Sequence, residues 1–219
     1  MFLAITGILT APDLAALQQG AAELAFADGK ATAGRIARQV KANDQATPSP
    51  ARDALLAKAK AAILAHPVFA AAARPRALTP LILSRYRIGQ TYGLHVDDAV
   101  MGGLRTDLSF TLFLTDPDSY DGGALVVEDN FAPREVKLTA GDLILYPSTS
   151  LHRVTPVMSG ERLAIVGWVE SWIRGAAERE ILFDLDQALA RLEATEGKSP
   201  VYDTIAKSRS NLLRLWAGL

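Results

Sequence analysis

The stretch from Leu78 to Ile173 most constrains the fold, because it is a series of short β-prone runs separated by turn residues. The runs are rich in β-branched and aromatic residues, and Gly, Asp and Pro stand between them. Several short strands at this spacing are typical of an all-β sandwich or jelly roll. We expect strands at 81–88, 109–114, 124–127, 135–138, 142–146, 153–157 and 162–172.

The segments on both sides of this stretch carry helix signals. Thr10 precedes Pro12 and Asp13, a typical helix start, and the apolar spacing that follows predicts a helix ending near residues 28–29. A second helix is expected at about 51–65, where Pro67 would end it. Residues 176–219 predict further helix with a break at 197–200, whereas the first nine residues predict a strand.

The predicted fold class is therefore α+β, with a double-stranded β-helix (jelly roll) core flanked by N-terminal and C-terminal helices. We expect residues 1–77 to form an N-terminal helical region packing on the core. Residues 78–174 would form the jelly roll itself, and 175–219 a C-terminal helical extension.

Composition excludes several classes of partner. With 219 residues, 49% of them hydrophobic, the chain is long enough for one domain. The net charge of -1, without a Lys/Arg cluster, predicts no nucleic acid partner and no anionic membrane surface. The apolar start reaches Asp13 too soon for a signal peptide or a membrane insertion. The absence of cysteine fits a reducing cytoplasm and restricts a metal site to His and carboxylate ligands. Association into a homo-oligomer is left open.

His95, Asp97 and His152 form the candidate metal site. On a strand, residues two apart point to the same side, so His95 and Asp97 would project together while Val96 turns into the core. Two imidazoles and one carboxylate on one face of a metal are the ligand set of non-heme Fe(II) oxygenases. Each residue alone has an ordinary structural interpretation, but the set favours the metal. The remaining histidine, His66, ends a helical run and is interpreted as structural.

Arg162 is the candidate anchor for a dicarboxylate cosubstrate. It follows His152 by ten residues, across a predicted turn at 158–161. If that turn joins a hairpin, Arg162 pairs near Val157, about 17 Å along the strand from His152. A five-carbon keto-diacid fits that gap, and its two charges would balance Fe(II) with one carboxylate ligand plus Arg162. The alternative interpretation of Arg162 is an ordinary surface arginine at the start of a strand.

Several motifs carry a resemblance to a known family. Residues 85–97 (RYRIGQTYGLHVD), 105–109 (RTDLS) and 141–148 (GDLILYPS), together with His152 and Arg162, resemble the prolyl 4-hydroxylase-like branch of Fe(II)/2-oxoglutarate dioxygenases. Residues 28–34 (DGKATAG) and 40–45 (VKANDQ) look like the N-terminal region of the bacterial PKHD-type hydroxylases, a family associated with iron uptake.

The resemblance implies a hydroxylase that uses Fe(II), 2-oxoglutarate and O2, with ascorbate as reductant, and releases succinate and CO2. It implies His95, Asp97 and His152 as iron ligands and Arg162 as the 2-oxoglutarate anchor. Tyr86 matches a tyrosine that reaches the cosubstrate in related enzymes, although an ordinary strand aromatic explains it equally. The substrate, a small molecule or a peptide residue, is not identified.

Three positions in the motifs have two interpretations. Relatives carry a 2-oxoglutarate-binding tyrosine on the strand after the metal loop, where this chain offers only Ser109 or Thr111 as substitutes. Trp168 shares the strand face of Arg162 and would either wall the pocket or pack in the sandwich. Asn43 and Gln45 are interpreted as backbone-capping residues.

Two other functions remain compatible with these residues. A cupin-like isomerase or hydrolase would use the same ligands with another metal, but it would have no use for Arg162. A non-catalytic sensor of iron and 2-oxoglutarate would keep every residue named.

Overall fold

The computed structural model describes residues 1–32, 34–129 and 131–218. Ala33 of the 28–34 motif and Leu219 at the end of the C-terminal segment lie outside the described residues. Five α-helices are present in the described part of the chain: α1 (Ala11–Ala22), α2 (Pro50–Ala65), α3 (Pro67–Ala73), α4 (Ala176–Glu196) and α5 (Pro200–Trp216). Short 3-10 helices lie at Gly29–Thr32, Ala37–Val40 and Pro117–Ser119.

The strands occupy both the predicted β-rich stretch and the region before it. The early strands are β1 (Leu3–Ile5), β2 (Phe26–Asp28), β3 (Lys41–Ala42), β4 (Asp44–Ala46) and β5 (Pro75–Leu78). They are followed by β6 (Ile82–Tyr86), β7 (Thr91–His95), β8 (Val100–Met101), β9 (Leu104–Arg105), β10 (Leu108–Phe113) and β11 (Asp121–Gly122). The last are β12 (Leu125–Val127), β13 (Arg134–Val136), β14 (Leu143–Pro147), β15 (His152–Val154), β16 (Val157–Ser159) and β17 (Arg162–Ser171).

Two antiparallel sheets build the core. The larger has the order β1-β14-β10-β17-β6-β4-β2, and β5 also pairs with β17. The smaller has the order β13-β12-β15-β7-β3, while β11 pairs with β16 and β8 with β9 in two-stranded sheets. Helices α1 to α3 lie among the early strands, and α4 and α5 follow the last strand, so the predicted α+β architecture is confirmed.

Strand β10 shows how the large sheet divides its two faces. Leu108, Phe110 and Leu112 belong to the core cluster that includes residues of α1, α2 and α3, and Phe110 meets the edge of the Phe69 ring at 5.8 Å between centroids. Phe113, at the opposite parity, packs instead with residues of the smaller sheet. Successive side chains on a strand point to opposite faces. The polar residues of β10 therefore lie between the sheets.

The helix starts follow the sequence, but two helix ends differ from prediction. The Thr10 hydroxyl accepts a hydrogen bond from the Asp13 amide at 3.3 Å, as an N-cap should. Helix α1 ends at Ala22 rather than near residue 28, because Phe26–Asp28 pairs as a strand with Asp44–Ala46. Pro67 does not merely end α2, since it begins α3.

The predicted hairpin between Val157 and Arg162 is wrong. Strand β16, which contains Val157, pairs with β11, whereas β17 pairs with β5, β6 and β10 of the large sheet. The chain therefore changes sheets at the turn, where Gly160 adopts a φ of 71°. A Cβ at Gly160 would overlap the backbone of the 3-10 helix Pro117–Ser119, so only glycine fits.

Within the described residues, no single helix has the length and apolar character needed to cross a membrane. Helices α2 and α3 satisfy that test only as a pair, and the chain bends by 79° between them.

Candidate metal and cosubstrate site

The two histidines of the candidate metal site face each other across neighbouring strands. His95 is the last residue of β7, His152 is the first of β15, and the two are register partners in the antiparallel pair. Asp97 lies in the loop that follows β7, so the expectation that it continues the strand is wrong. Val96 does not turn into the core either, because the strand has ended and its side chain is 49% exposed.

The three side chains converge on one point. Asp97 Oδ1 lies 3.9 Å from His95 Nε2 and 3.7 Å from His152 Nε2. One ligand atom from each residue lies within 4.8 Å of the others, a spacing suited to one metal ion. The remaining histidine, His66, lies between α2 and α3 and is not part of this group. Its Nδ1 is buried without a hydrogen-bond partner in the described part of the chain.

Backbone carbonyls orient both imidazole rings. Nδ1 of His95 lies 2.8 Å from the Gly93 carbonyl, and Nδ1 of His152 lies 3.0 Å from the Ser150 carbonyl. A carbonyl only accepts, so each Nδ1 carries the proton and each Nε2 keeps a lone pair for a metal. Burial, and then the neighbouring His152, lowers the pKa of His95 to about 4. His95 is therefore unprotonated at neutral pH.

The Asp97 carboxylate is oriented in the same way, by a serine pair. The Ser109 hydroxyl donates to Asp97 Oδ2 at 2.6 Å. Ser109 Oγ also lies 2.8 Å from Ser148 Oγ, which is left as the donor in that contact. Oδ1 of Asp97 thus remains directed at the histidines. Ser109, considered as a cosubstrate residue from the sequence, is occupied in holding Asp97.

A cavity of about 780 Å³, including its open mouth, extends from this cluster between the sheets. Arg162 and Tyr86 lie in its wall as register partners on β17 and β6. The Arg162 guanidinium carbon is 5.2 Å from the Tyr86 ring centroid and 5.3 Å from that of Phe113. Burial raises the pKa of Tyr86, so its hydroxyl remains a proton donor. Trp168 also lines the cavity.

Arg162 has an unused donor and an unbalanced charge. Its side chain is only 1% exposed, and its Nε has no hydrogen-bond partner in the described residues. No carboxylate of those residues forms an ion pair with it. A buried guanidinium without a carboxylate partner is unfavourable unless an anion joins it. The position is suited to one carboxylate of a keto-diacid, bound bidentately.

The donor set suits the iron that the sequence resemblance implies. Two imidazole nitrogens and one carboxylate oxygen, without a thiolate, match the ligands of a non-heme Fe(II) site with open positions. The arrangement of a three-ligand cluster and a distant cation in one cavity fits Fe(II) and 2-oxoglutarate together.

Residues of the N-terminal region also line the cavity, which the sequence did not predict. Three of them, Lys41, Asn43 and Gln45, are buried polar residues, and the capping role expected for Asn43 and Gln45 does not account for their place in the cavity wall. The one sequence signal for this shared position is that the three residues alternate along the chain, as residues on one face of a strand do. The segment is too short and irregular for that spacing to be read as a strand face.

Comparisons with known proteins identify the family of the chain. A profile of the 2OG-Fe(II) oxygenase superfamily matches residues 81–170, and a profile of the PKHD-type hydroxylase C-terminal domain matches residues 177–218. A PKHD-type hydroxylase of Maricaulis maris is 51% identical over 192 residues, which cover 88% of each chain. One from Acaryochloris marina is 49% identical over 218 residues, covering 99% of this chain and 100% of its own.

Solved structures agree on the fold. A Pseudomonas putida prolyl-4-hydroxylase aligns with a TM-score of 0.52 at 23% identity, covering 78% of this chain and 92% of its own. A Trichoplax adhaerens prolyl hydroxylase, solved with a hypoxia inducible factor peptide, aligns with a TM-score of 0.55 at 14% identity, covering 78% of this chain and 83% of its own. These likenesses confirm the predicted jelly roll.

The near-complete coverage by relatives at about half identity decides the family. The chain belongs to the PKHD-type hydroxylases of the 2OG-Fe(II) oxygenase superfamily, and it is a 2-oxoglutarate-dependent dioxygenase.

Proposed function

We propose that His95, Asp97 and His152 bind one Fe(II), and that Arg162 with Tyr86 anchors 2-oxoglutarate in the same cavity. The enzyme would hydroxylate a substrate and release succinate and CO2. The observation that carries this proposal is the meeting, in one buried cavity, of a two-nitrogen, one-oxygen ligand cluster with an unpaired guanidinium.

The proposed ligands are held in place before any metal arrives. The Gly93 and Ser150 carbonyls fix both imidazole rings, and Ser109 fixes Asp97. A site oriented in this way loses little conformational entropy on binding. Three protein ligands would leave further coordination positions of the metal for the cosubstrate and O2.

Arg162 would bind the distal carboxylate of 2-oxoglutarate, and the Tyr86 hydroxyl, still protonated, would donate a hydrogen bond beside it. In this pose, the other end of the cosubstrate, its keto-acid group, would face the metal cluster. Burial raises the pKa of Tyr146, so that phenol, whose ring edge meets His152 at 5.3 Å, also stays neutral. It fills space beside the cluster without adding charge and excludes water.

Bound iron, 2-oxoglutarate and O2 would together supply the oxidation, in which the keto acid is decarboxylated and a C–H bond is hydroxylated.

Ascorbate is the proposed reductant, as the family resemblance implies. A link to iron uptake or homeostasis and a cytoplasmic location belong to the same proposal. The link to iron is tested by measuring the cellular amount of the protein with and without iron limitation, and an amount that does not depend on iron would contradict it. The location is tested by cell fractionation, and recovery of the protein only in the membrane fraction would contradict it.

Anaerobic titration tests the binding part of the proposal. Fe(II) is added to the purified protein, followed by 2-oxoglutarate, and the visible absorption of a keto acid chelated to Fe(II) is recorded. The proposal predicts one equivalent of each ligand and an absorption band that needs both. Binding of metal without a response to 2-oxoglutarate would instead favour a cupin-like isomerase or hydrolase.

A further inference from the structure

A second polar surface lies on the cavity, and neither the iron nor the 2-oxoglutarate role uses it. Lys41, Asn43 and Gln45 are alternate residues of the extended segment that spans β3 and β4, and all three are buried and line the cavity. Alternate residues of extended chain share one face. Burying a polar row is unfavourable unless its groups find partners.

Lys41 is a buried ammonium that forms no direct ion pair with a described residue, and the carboxylates of Asp97 and Asp28 attract its charge only from a greater distance. Its side chain is 6% exposed, its Nζ donates to Thr32 Oγ1 at 3.0 Å, and it lies 5.0 Å from the Tyr92 ring centroid. None of the carboxylates that the structure describes forms an ion pair with it. An ammonium has three N–H donors. Two donors and the charge of Lys41 are therefore left for a ligand.

Asn43 supplies an independent observation of the same kind. Asn43 is 2% exposed and its side chain contacts the Tyr86 hydroxyl, but neither Oδ1 nor Nδ2 makes a well-formed hydrogen bond with the described residues. Gly29 makes room for it, because a Cβ at that position would overlap Asn43 Oδ1. The amide is therefore held by packing, and beyond the Tyr86 contact its donor and acceptor groups are available to a ligand. Buried amides of this kind normally have partners.

The charges in the cavity point to the nature of the missing ligand. Under the proposed function, the charges of Fe(II) and Arg162 are balanced by Asp97 and the 2-oxoglutarate dianion. Lys41 then leaves one positive charge in excess. Asp98 also lines the cavity but is exposed, so solvent screens its charge. A buried excess charge calls for one more anion.

We propose that the Lys41–Asn43–Gln45 surface binds the substrate to be hydroxylated, and that this substrate carries an anionic oxygen group, such as a carboxylate, that Lys41 binds. The proposal rests on the proposed function. Tyr92 connects the two sites, since its ring also stacks on the His95 ring at 3.6 Å between centroids. A molecule held by Lys41 is therefore adjacent to the candidate metal cluster, and Asn43 offers a donor and an acceptor to a neutral group of the same molecule.

Matched pairs of small acids and amides test this inference. The protein is loaded with Mn(II) and saturating 2-oxoglutarate, without O2, at pH 7. The probes are benzoate with benzamide, cyclohexanecarboxylate with its amide, and N-acetylglycinate with its amide. Broadening of their proton NMR signals by Mn(II) reports binding close to the metal. Wild type is compared with Lys41→Met and Lys41→Arg, and with Lys30→Met as the control at an exposed lysine.

In wild type and Lys30→Met, we expect at least one acid to bind about tenfold more tightly than its amide, the effect of one charge-assisted contact. The preference should disappear in Lys41→Met and persist in Lys41→Arg. An acid preference that survives Lys41→Met, acids that act only by displacing 2-oxoglutarate, or no acid preference in wild type would each overturn the inference. If Lys41→Met does not fold, Lys41→Gln takes its place. Failure of Mn(II) or 2-oxoglutarate to bind wild type would instead count against the proposed function.

Discussion

Arg162 and Tyr86 are register partners on neighbouring antiparallel strands, and the arginine guanidinium lies 5.2 Å from the tyrosine ring centroid. Both side chains face the cavity that also contains the His95–Asp97–His152 cluster. The pairing places a rigid aromatic donor beside a buried cation. This arrangement is the basis of the proposed cosubstrate anchor.

The first prediction concerns that anchor. Arg162→Ala should weaken 2-oxoglutarate binding far more than metal binding, because the distal carboxylate would lose its partner while it stays buried. Loss of one partner of a buried charge pair costs about 3–5 kcal/mol, or more than about a hundredfold in affinity. Anaerobic titration of the Fe(II)-loaded protein measures the change. Arg134→Ala, at an exposed arginine, is the control.

Arg162→Lys keeps the charge but loses the bidentate geometry, so its affinity should fall between those of wild type and Arg162→Ala. If Arg162→Ala changes the affinity by less than about threefold, well below the loss expected for a buried pair, the anchor lies elsewhere.

The second prediction concerns the metal ligands. His95→Ala, Asp97→Ala and His152→Ala should each lose stoichiometric Fe(II) binding while the fold is retained, because two ligands remain from a three-ligand site. The His66→Ala variant, whose changed residue is not part of the cluster, should still bind one equivalent of Fe(II). The measurement is the Fe(II) content of each variant after anaerobic gel filtration. The assignment would collapse if the His66 variant lost iron and the His152 variant kept it.

The third prediction concerns the serine that orients Asp97. Ser109→Ala removes the 2.6 Å hydrogen bond to Oδ2 and leaves the carboxylate free to rotate. Loss of such an outer partner lowers metal affinity by about 10–100-fold. A competition assay with a metal-binding dye measures it. Ser119→Ala, whose hydroxyl bonds a loop carbonyl, is the control. Equal affinities in the two variants would show that Ser109 does not orient Asp97.

The fourth prediction concerns the stability of the metal-free protein. Burial lowers the pKa of Lys41 from 10.5 to about 8, so folding disfavours the protonated lysine, and the unfolded chain binds more protons between these values. The unfavourable contribution of Lys41 to the free energy of unfolding should therefore be fully present below about pH 8 and should disappear as the pH rises towards 10.5. Lys41→Met should be more stable at pH 7 by about 1–3 kcal/mol.

This difference should narrow as the pH approaches 10.5, and Lys30→Met should show no such trend. Urea unfolding at several pH values checks the prediction. A Lys41→Met variant that is less stable than wild type at pH 7 would mean that the lysine contributes to the fold rather than opposing it.

The residues of the His95–Asp97–His152 cluster could be predicted from the sequence, because the chain contains few histidines and no cysteine that could bind a metal. His95 and Asp97 are close in sequence, and only three histidines exist. That His152 lies directly opposite His95 depends on the pairing of β15 with β7, two segments far apart in the chain. Local patterns do not specify such a register, which is set by the packing of both sheets.

The errors have the same origin. A short turn ending in Gly160 and Glu161 is equally compatible with a hairpin and with a change of sheet, and the hairpin was the wrong choice for Arg162. Lys41 and Asn43 reach the cavity because the chain passes from β3, an edge strand of the smaller sheet, to β4, which pairs with β6 and β2 in the larger sheet. That arrangement arises only when the sheets have formed. The part of the cavity that we assign to the substrate was therefore not predictable.

The most direct test of the central claim is succinate formation by the purified protein. Fe(II), 2-oxoglutarate, ascorbate and O2 are supplied without a substrate, and succinate is measured against a metal-free control and the Asp97→Ala variant. Slow succinate release by wild type, absent from both controls, is the expected result, and the true substrate should accelerate it. Stoichiometric binding of both ligands with no succinate above the controls, across a panel of peptides and siderophores, would contradict the account and favour a sensor.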